Sequence, residues 1–140
     1  MPPYPYVINY VTKIGNKEFN PPAPALIVEF KWMGRSESLF ALIDTGADAT
    51  FIPEGIVKNL DLRPITKRPV PIQGGKGYAY RYVVDISFSG FSSPKMPVYE
   101  LPGLDLQFPI IGRDIMNRFI IKLDGPNQNF NYRNVIEQNT

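Results

Sequence analysis

Apolar and polar residues alternate over residues 25–32. Leu26, Val28, Phe30 and Trp32 fall on one face, and Ile27, Glu29 and Lys31 on the other. A period of two predicts a strand with one face in a core. Met33-Gly34-Arg35-Ser36 turns, and residues 38–43 return. The return ends in the uninterrupted run Ala41-Leu42-Ile43, which predicts a strand end buried on both faces. Upstream, residues 6–11 are β-prone, Gly15-Asn16 reads as a hairpin turn and Lys17-Glu18-Phe19 comes back. Residues 20–24, rich in proline, read as a stiff extended connector.

Downstream, Pro53 and Glu54 suit the first turn of a short helix to about Asn59, with Ile56, Val57 and Leu60 on its apolar face. Residues 70–85 predict a long hairpin, two β-prone arms about a tip of Gly74-Gly75-Lys76-Gly77. Residues 83–88 alternate again, Ser89-Gly90 turns, and residues 96–101 form a strand. A loop over 102–107 precedes Phe108. Residues 114–119 read as a short helix and 119–123 as a strand. Asp124-Gly125-Pro126 turns and residues 129–132 return. Short strands punctuated by glycine and proline predict an all-β fold.

Composition narrows the chemistry. The chain has 140 residues, no cysteine and no histidine. That removes disulfides, thiol chemistry, Ser-His-Asp catalysis and histidine-ligated zinc, so a hydrolase here must use carboxylates, hydroxyls, lysine or tyrosine. No cofactor and no metal is expected. Net charge is +2, with both signs dispersed, so neither nucleic acid nor an anionic membrane is an expected partner. No apolar run approaches ~20 residues, and Met1-Pro2-Pro3-Tyr4-Pro5-Tyr6 lacks the character of a signal peptide. A cytoplasmic location is the expectation. The chain divides into an N-terminal extension over 1–24, one domain over 25–132 and a polar tail over 133–140.

The chemistry centres on Ala41-Leu42-Ile43-Asp44-Thr45-Gly46-Ala47-Asp48-Ala49-Thr50. A rigid strand delivers the carboxylate of Asp44 to its end. Gly46 permits a tight turn and close approach of other backbone. The Thr45 hydroxyl can donate or accept. This run resembles the active-site stretch of the retropepsin-like aspartic proteases. Phe108-Pro109-Ile110-Ile111-Gly112-Arg113-Asp114 resembles the same family's late segment, at about the spacing the family uses.

The resemblance implies a retropepsin-like fold, a closed β-barrel-like domain with a flap hairpin, forming a two-fold homodimer. It implies an aspartic endopeptidase acting on a peptide or protein, with Asp44, Thr45 and Gly46 as the catalytic stretch. Only one Asp-Thr-Gly occurs, so the second carboxylate must come from a second copy. The pair would share one proton, because like charges about 3 Å apart resist joint ionisation. Ala47, Asp48, the hairpin residues Gly74, Gly75, Lys76 and Gly77, and Leu106, Phe108 and Ile110 would meet the substrate. Leu104 and these apolar residues imply apolar side chains beside the cut. Asp48 and Arg113 would form an ion pair.

Two departures stand out. The helix after Pro53 is absent from retroviral members, and Lys76 replaces an apolar flap tip. Gly-Gly-Lys-Gly lacks the spacing and following helix of a phosphate loop. The N-terminal segment serves either the dimer interface or one sheet edge. The competing function is a peptide-binding or dimerisation module of the same fold without catalysis.

Overall fold

The two-residue turn at Met33-Gly34, with φ of 50° and 81°, has the left-handed backbone that matches the twist of a tight hairpin. It sets the register of the hairpin that carries Asp44. In this computed structural model, which describes residues 2–9, 12–14, 17–19, 21–72, 75–102 and 106–134, strands β1 (Tyr4–Asn9), β2 (Thr12–Ile14), β3 (Lys17–Phe19), β4 (Pro22–Trp32) and β5 (Arg35–Ile43) come first. Helix α1 (Glu54–Asn59) and strands β6 (Thr66–Ile72), β7 (Gly75–Phe88) and β8 (Phe91–Glu100) follow. Strand β9 (Ile110–Ile111), helix α2 (Arg113–Met116) and strands β10 (Phe119–Asp124) and β11 (Asn129–Asn134) come last.

Nine strands make one open, branched sheet in the order β10-β11-β1-β4-β5-β9, with β7 pairing β4, β6 and β8. The architecture is all-β as expected, but the sheet is open rather than the closed barrel-like one expected. Strands β2 and β3 form a separate hairpin, whose turn at 15–16 lies outside the described residues. The inward face of β4 is the one its alternation predicts: Leu26, Val28 and Phe30 are buried, whereas Ile27 is exposed. The same core takes Tyr82, Val84 and Ile86 of β7, Met96 and Val98 of β8, and Ile56 and Leu60 from α1 and its end. Tyr82 donates to Glu100 at 2.8 Å. Burial, and then that bond, push its phenol above the ordinary range.

Some boundaries move. The proline connector is the start of β4: Pro22, Ala23 and Pro24 pair with Asn9, Ile8 and Tyr6. Ladder pairing across β1 outweighs local stiffness there. Strand β8 begins at Phe91, because the Gly90 turn leads straight back along β7. The second helix is only Arg113–Met116, since Phe119 pairs with Asn134 and opens β10. Arg133 and Asn134 are therefore strand, and 135–140 lie outside the described residues. Ala41 is buried, but Leu42 and Ile43 are only half-buried. Strand β1 fills the position between β4 and β11. There Tyr132 stacks with Tyr4 and Phe130, Tyr4 is tilted against Phe130, and Tyr132 meets Phe88 and Phe119 edge-on. Among the described residues, no helix is long and apolar enough to cross a membrane.

Candidate active site

The two stretches singled out in sequence lie side by side. Strand β9 pairs in parallel with the end of β5, Leu42 with Ile110 and Ile43 with Ile111. Leu42 N–H donates to Pro109 O at 2.8 Å, and Asp44 N–H to Ile111 O at 3.1 Å. The chain then loops back along the other edge of β9: Phe51 and Ile110 exchange both backbone bonds, each at 2.9 Å. Ile52 N–H donates to Tyr99 O and Tyr99 N–H to Thr50 O, which fastens the loop to β8 as well. The loop carrying Asp44 is thus framed by ladder bonds on both sides of β9.

Within the loop, Gly46 N–H donates to Asp44 Oδ1 at 2.9 Å, and Ala47 N–H to Asp44 O at 3.2 Å. The carboxylate is half-buried and oriented by its own turn, while Thr45 and Gly46 are exposed. A Cβ on Gly46 would lie 3.2 Å from Asp44 Oδ1, so a side chain there would crowd the acid it orients.

Arg113 grips the loop at three points. Its Nη1 donates to Thr45 O at 2.8 Å. Its backbone N–H donates to Ala47 O at 2.9 Å, and its Nη2 pairs with Asp48 Oδ1. The Asp48 side chain is 88% exposed and that of Arg113 43%. An ion pair this wet contributes little, about 0–1 kcal/mol. The planar fork matters more for holding the Thr45 carbonyl.

A second set of anchors escaped the sequence reading. Thr50 is fully buried. Asp114 accepts from Thr50 N at 3.1 Å and from Thr50 Oγ1 at 2.9 Å. It also accepts from Ile115 N–H at 2.9 Å, at the start of α2. Gly112 N–H reaches Thr50 Oγ1 at 3.3 Å. The signal was present: a hydroxyl six residues after Asp44 and a carboxylate beside Arg113. Nothing in the sequence alone joins them. Gly112 has a packing role too. A Cβ there would stand 2.2 Å from Ala49 O and 2.5 Å from Ala49 C.

The remaining candidates are more dispersed. Ile110, Phe108 and Leu106 are half-buried at and before β9. Leu104 and Gly74 lie outside the described residues. Gly75, Lys76 and Gly77 are ladder residues of β7 rather than a tip, facing Ile72, Pro71 and Val70. On the β7 arm the pairing runs three residues further than the glycine cluster implied. Among the described residues, no group of three or more His, Cys, Asp or Glu side chains is placed to hold a metal.

Residues 28–115 match the sequence model of the aspartyl protease family. The chain belongs to that family. The match runs from the middle of β4 into α2, so it contains both the Asp44 loop and its anchors. Among solved structures, this family member is similar to the EIAV protease in complex with an inhibitor. The TM-score is 0.51 at 24% identity, covering 68% of this chain and 86% of that one. It is also similar to a retropepsin-like aspartic protease from Rickettsia conorii, with a TM-score of 0.55 at 15% identity, covering 76% and 89%. At these identities the likeness speaks for the fold. Among curated proteins nothing matches.

Gly112→Ala forces Ala49 backbone aside and is expected to lower unfolding free energy by about 3 kcal/mol; urea denaturation reads this, and a loss under about 0.5 kcal/mol would contradict it. Arg113→Ala, which frees the Thr45 carbonyl, is expected to cost about 1 kcal/mol, and Asp48→Asn less than half of that. Equal losses for the two would place the weight on the ion pair instead.

Proposed function

We propose that this chain is an aspartic endopeptidase whose working unit is a homodimer, with one Asp44 from each subunit. The observation that carries the reading is the Asp44 turn. A single carboxylate sits at the end of a pinned strand, held by Gly46 N–H at 2.9 Å, with Thr45 and Gly46 beside it on the exposed surface. The family match supports the chemistry, and the likeness to retropepsin folds supports the assembly.

Peptide hydrolysis by water needs both a base and an acid. In the proposed dimer, one Asp44 is ionised and takes a proton from a water molecule. The other is neutral and donates a hydrogen bond to the scissile carbonyl oxygen. Attack gives a tetrahedral intermediate. Its collapse sends a proton to the departing amide nitrogen and restores the shared proton. Because the acids act as a coupled pair, the protonation states belong to the dyad rather than to either residue. Thr45 of each subunit braces the opposite loop, and Gly46 lets the substrate backbone approach. The peptide lies as an added strand between this floor and the β6–β7 hairpin, with Ala47 and Asp48 at the floor and Gly74, Gly75, Lys76 and Gly77 above. Leu106, Phe108 and Ile110 meet apolar substrate side chains beside the cut.

Asp44→Asn tests the proposal. The substitution keeps the Gly46 bond available to Oδ1 but removes the titrating group. Casein and peptide-library digests should show cleavage by the wild type and a loss of about a thousandfold or more in the variant, with the thermal transition unchanged. Equal cleavage by both would overturn the reading. So would no cleavage by a folded, dimeric wild type.

A further inference from the structure

Net charge over the whole chain hides a local imbalance. Between Asp61 and Asp85 there are five basic residues, Arg63, Lys67, Arg68, Lys76 and Arg81, and no acidic one. Ten basic residues are left for the rest of the chain, against all thirteen acidic ones. The positive charge is therefore concentrated on the β6–β7 hairpin and its approach, and the rest of the chain is net acidic. Arg63 reaches Asp61 at 3.5 Å. Among the described residues no carboxylate forms an ion pair with Lys67, Arg68 or Arg81.

The register says which of these charges faces inward. Tyr82, Val84 and Ile86 alternate into the core along β7. Continuing that alternation towards the hairpin tip brings Tyr80 and Tyr78 to the same face, and Tyr80 still packs against the core. Directly paired residues share a face, and Lys67 pairs with Tyr80 and Pro69 with Tyr78. Lys67 is thus on the underside of the hairpin. Arg68 and Arg81 pair with Ala79 and Thr66 on the outer side. The Lys67 ammonium lies 4.2 Å from the centroid of the Tyr78 ring and 5.6 Å from that of Tyr80. Cation–π attraction holds the charge in place on an exposed surface, so less side-chain entropy is lost when it meets an anion.

We propose that Lys67, seated on Tyr78 and Tyr80, selects substrates carrying an aspartate or glutamate a few residues from the scissile bond, with Arg68 and Arg81 drawing acidic peptides to the hairpin. The proposal rests on the endopeptidase reading above, in which the peptide lies beneath this hairpin. The lysine reads a side chain and takes no part in bond cleavage. Its effect belongs in the binding of substrate and transition state alike, and so in KM.

A digest of a diverse peptide library, with cleavage positions read by mass spectrometry at pH about 6, where peptide carboxylates are ionised, tests it. The wild type should show Asp and Glu enriched within a few residues of the cut. Lys67→Met should lose the enrichment, and Lys67→Glu should turn it towards Lys and Arg. On one cleaved peptide with Glu at the enriched position, replacing that Glu by Gln should lower kcat/KM about three- to tenfold, mostly through KM, and added salt should shrink the difference. Cleavage without acidic enrichment, or enrichment unchanged in folded Lys67→Met, overturns the proposal alone. Absence of any cleavage by the wild type overturns the endopeptidase reading, and this proposal with it. Salt-sensitive binding of an RNA oligonucleotide that Lys67→Glu abolishes, without acidic enrichment, would assign the basic hairpin to nucleic acid instead.

Discussion

The placement of Asp44 depends on two backbone hydrogen bonds across a parallel pair only two residues long. Leu42 to Pro109 and Asp44 to Ile111 tie the end of β5 to a segment almost seventy residues later. Parallel pairing of such distant segments closes a long loop, and its entropic cost must be met elsewhere. Ile111, Ile115 and Met116 meet it by burial on one side of the joint. The Phe51–Ile110 exchange adds a second ladder on the other edge of β9. The catalytic role proposed for Asp44 requires its carboxylate to be held to within fractions of an ångström. Here that precision comes from backbone and core, and little is asked of surface charges.

The same logic ranks the anchors. The Asp48–Arg113 pair is the anchor that the family resemblance implied, yet both partners are wet. Thr50 and Asp114 are joined by two hydrogen bonds, with Thr50 wholly buried and Gly112 packed against the Ala49 backbone. Loss of a buried partner leaves a desolvated group behind, which costs more than loss of an exposed one. The loop is therefore held from beneath, by α2 and the turn before it. Its rim, Thr45 and Gly46, stays exposed, as the proposed second subunit and substrate require.

Much of this was legible in the chain. The period-two pattern of residues 25–32 predicted which face of β4 is buried, because a half-buried strand has no other way to place Leu26, Val28 and Phe30. Helix α1 was marked by Pro53 and Glu54, and the β10–β11 hairpin by Asp124-Gly125-Pro126. What failed had tertiary causes. Pro22–Pro24 read as a connector, since nothing local reveals that β1 pairs with them. The Gly75–Gly77 segment read as a tip because glycine signals freedom, whereas the pairing of Val70 with Gly77 makes it ladder. The Thr50–Asp114 anchor, and the side of the hairpin on which Lys67 lies, emerge only when register joins residues distant in sequence.

One chain is proposed to supply half of an acid pair. Mixing subunits tests it most directly: wild-type protein is equilibrated with increasing Asp44→Asn chain, and proteolysis per wild-type subunit is followed. If each active unit draws one Asp44 from each of two copies, a tenfold excess of variant should trap wild-type chains in mixed pairs and cut their activity about tenfold. Activity per wild-type subunit that stays constant across the titration would contradict the account, because each chain would then be working alone.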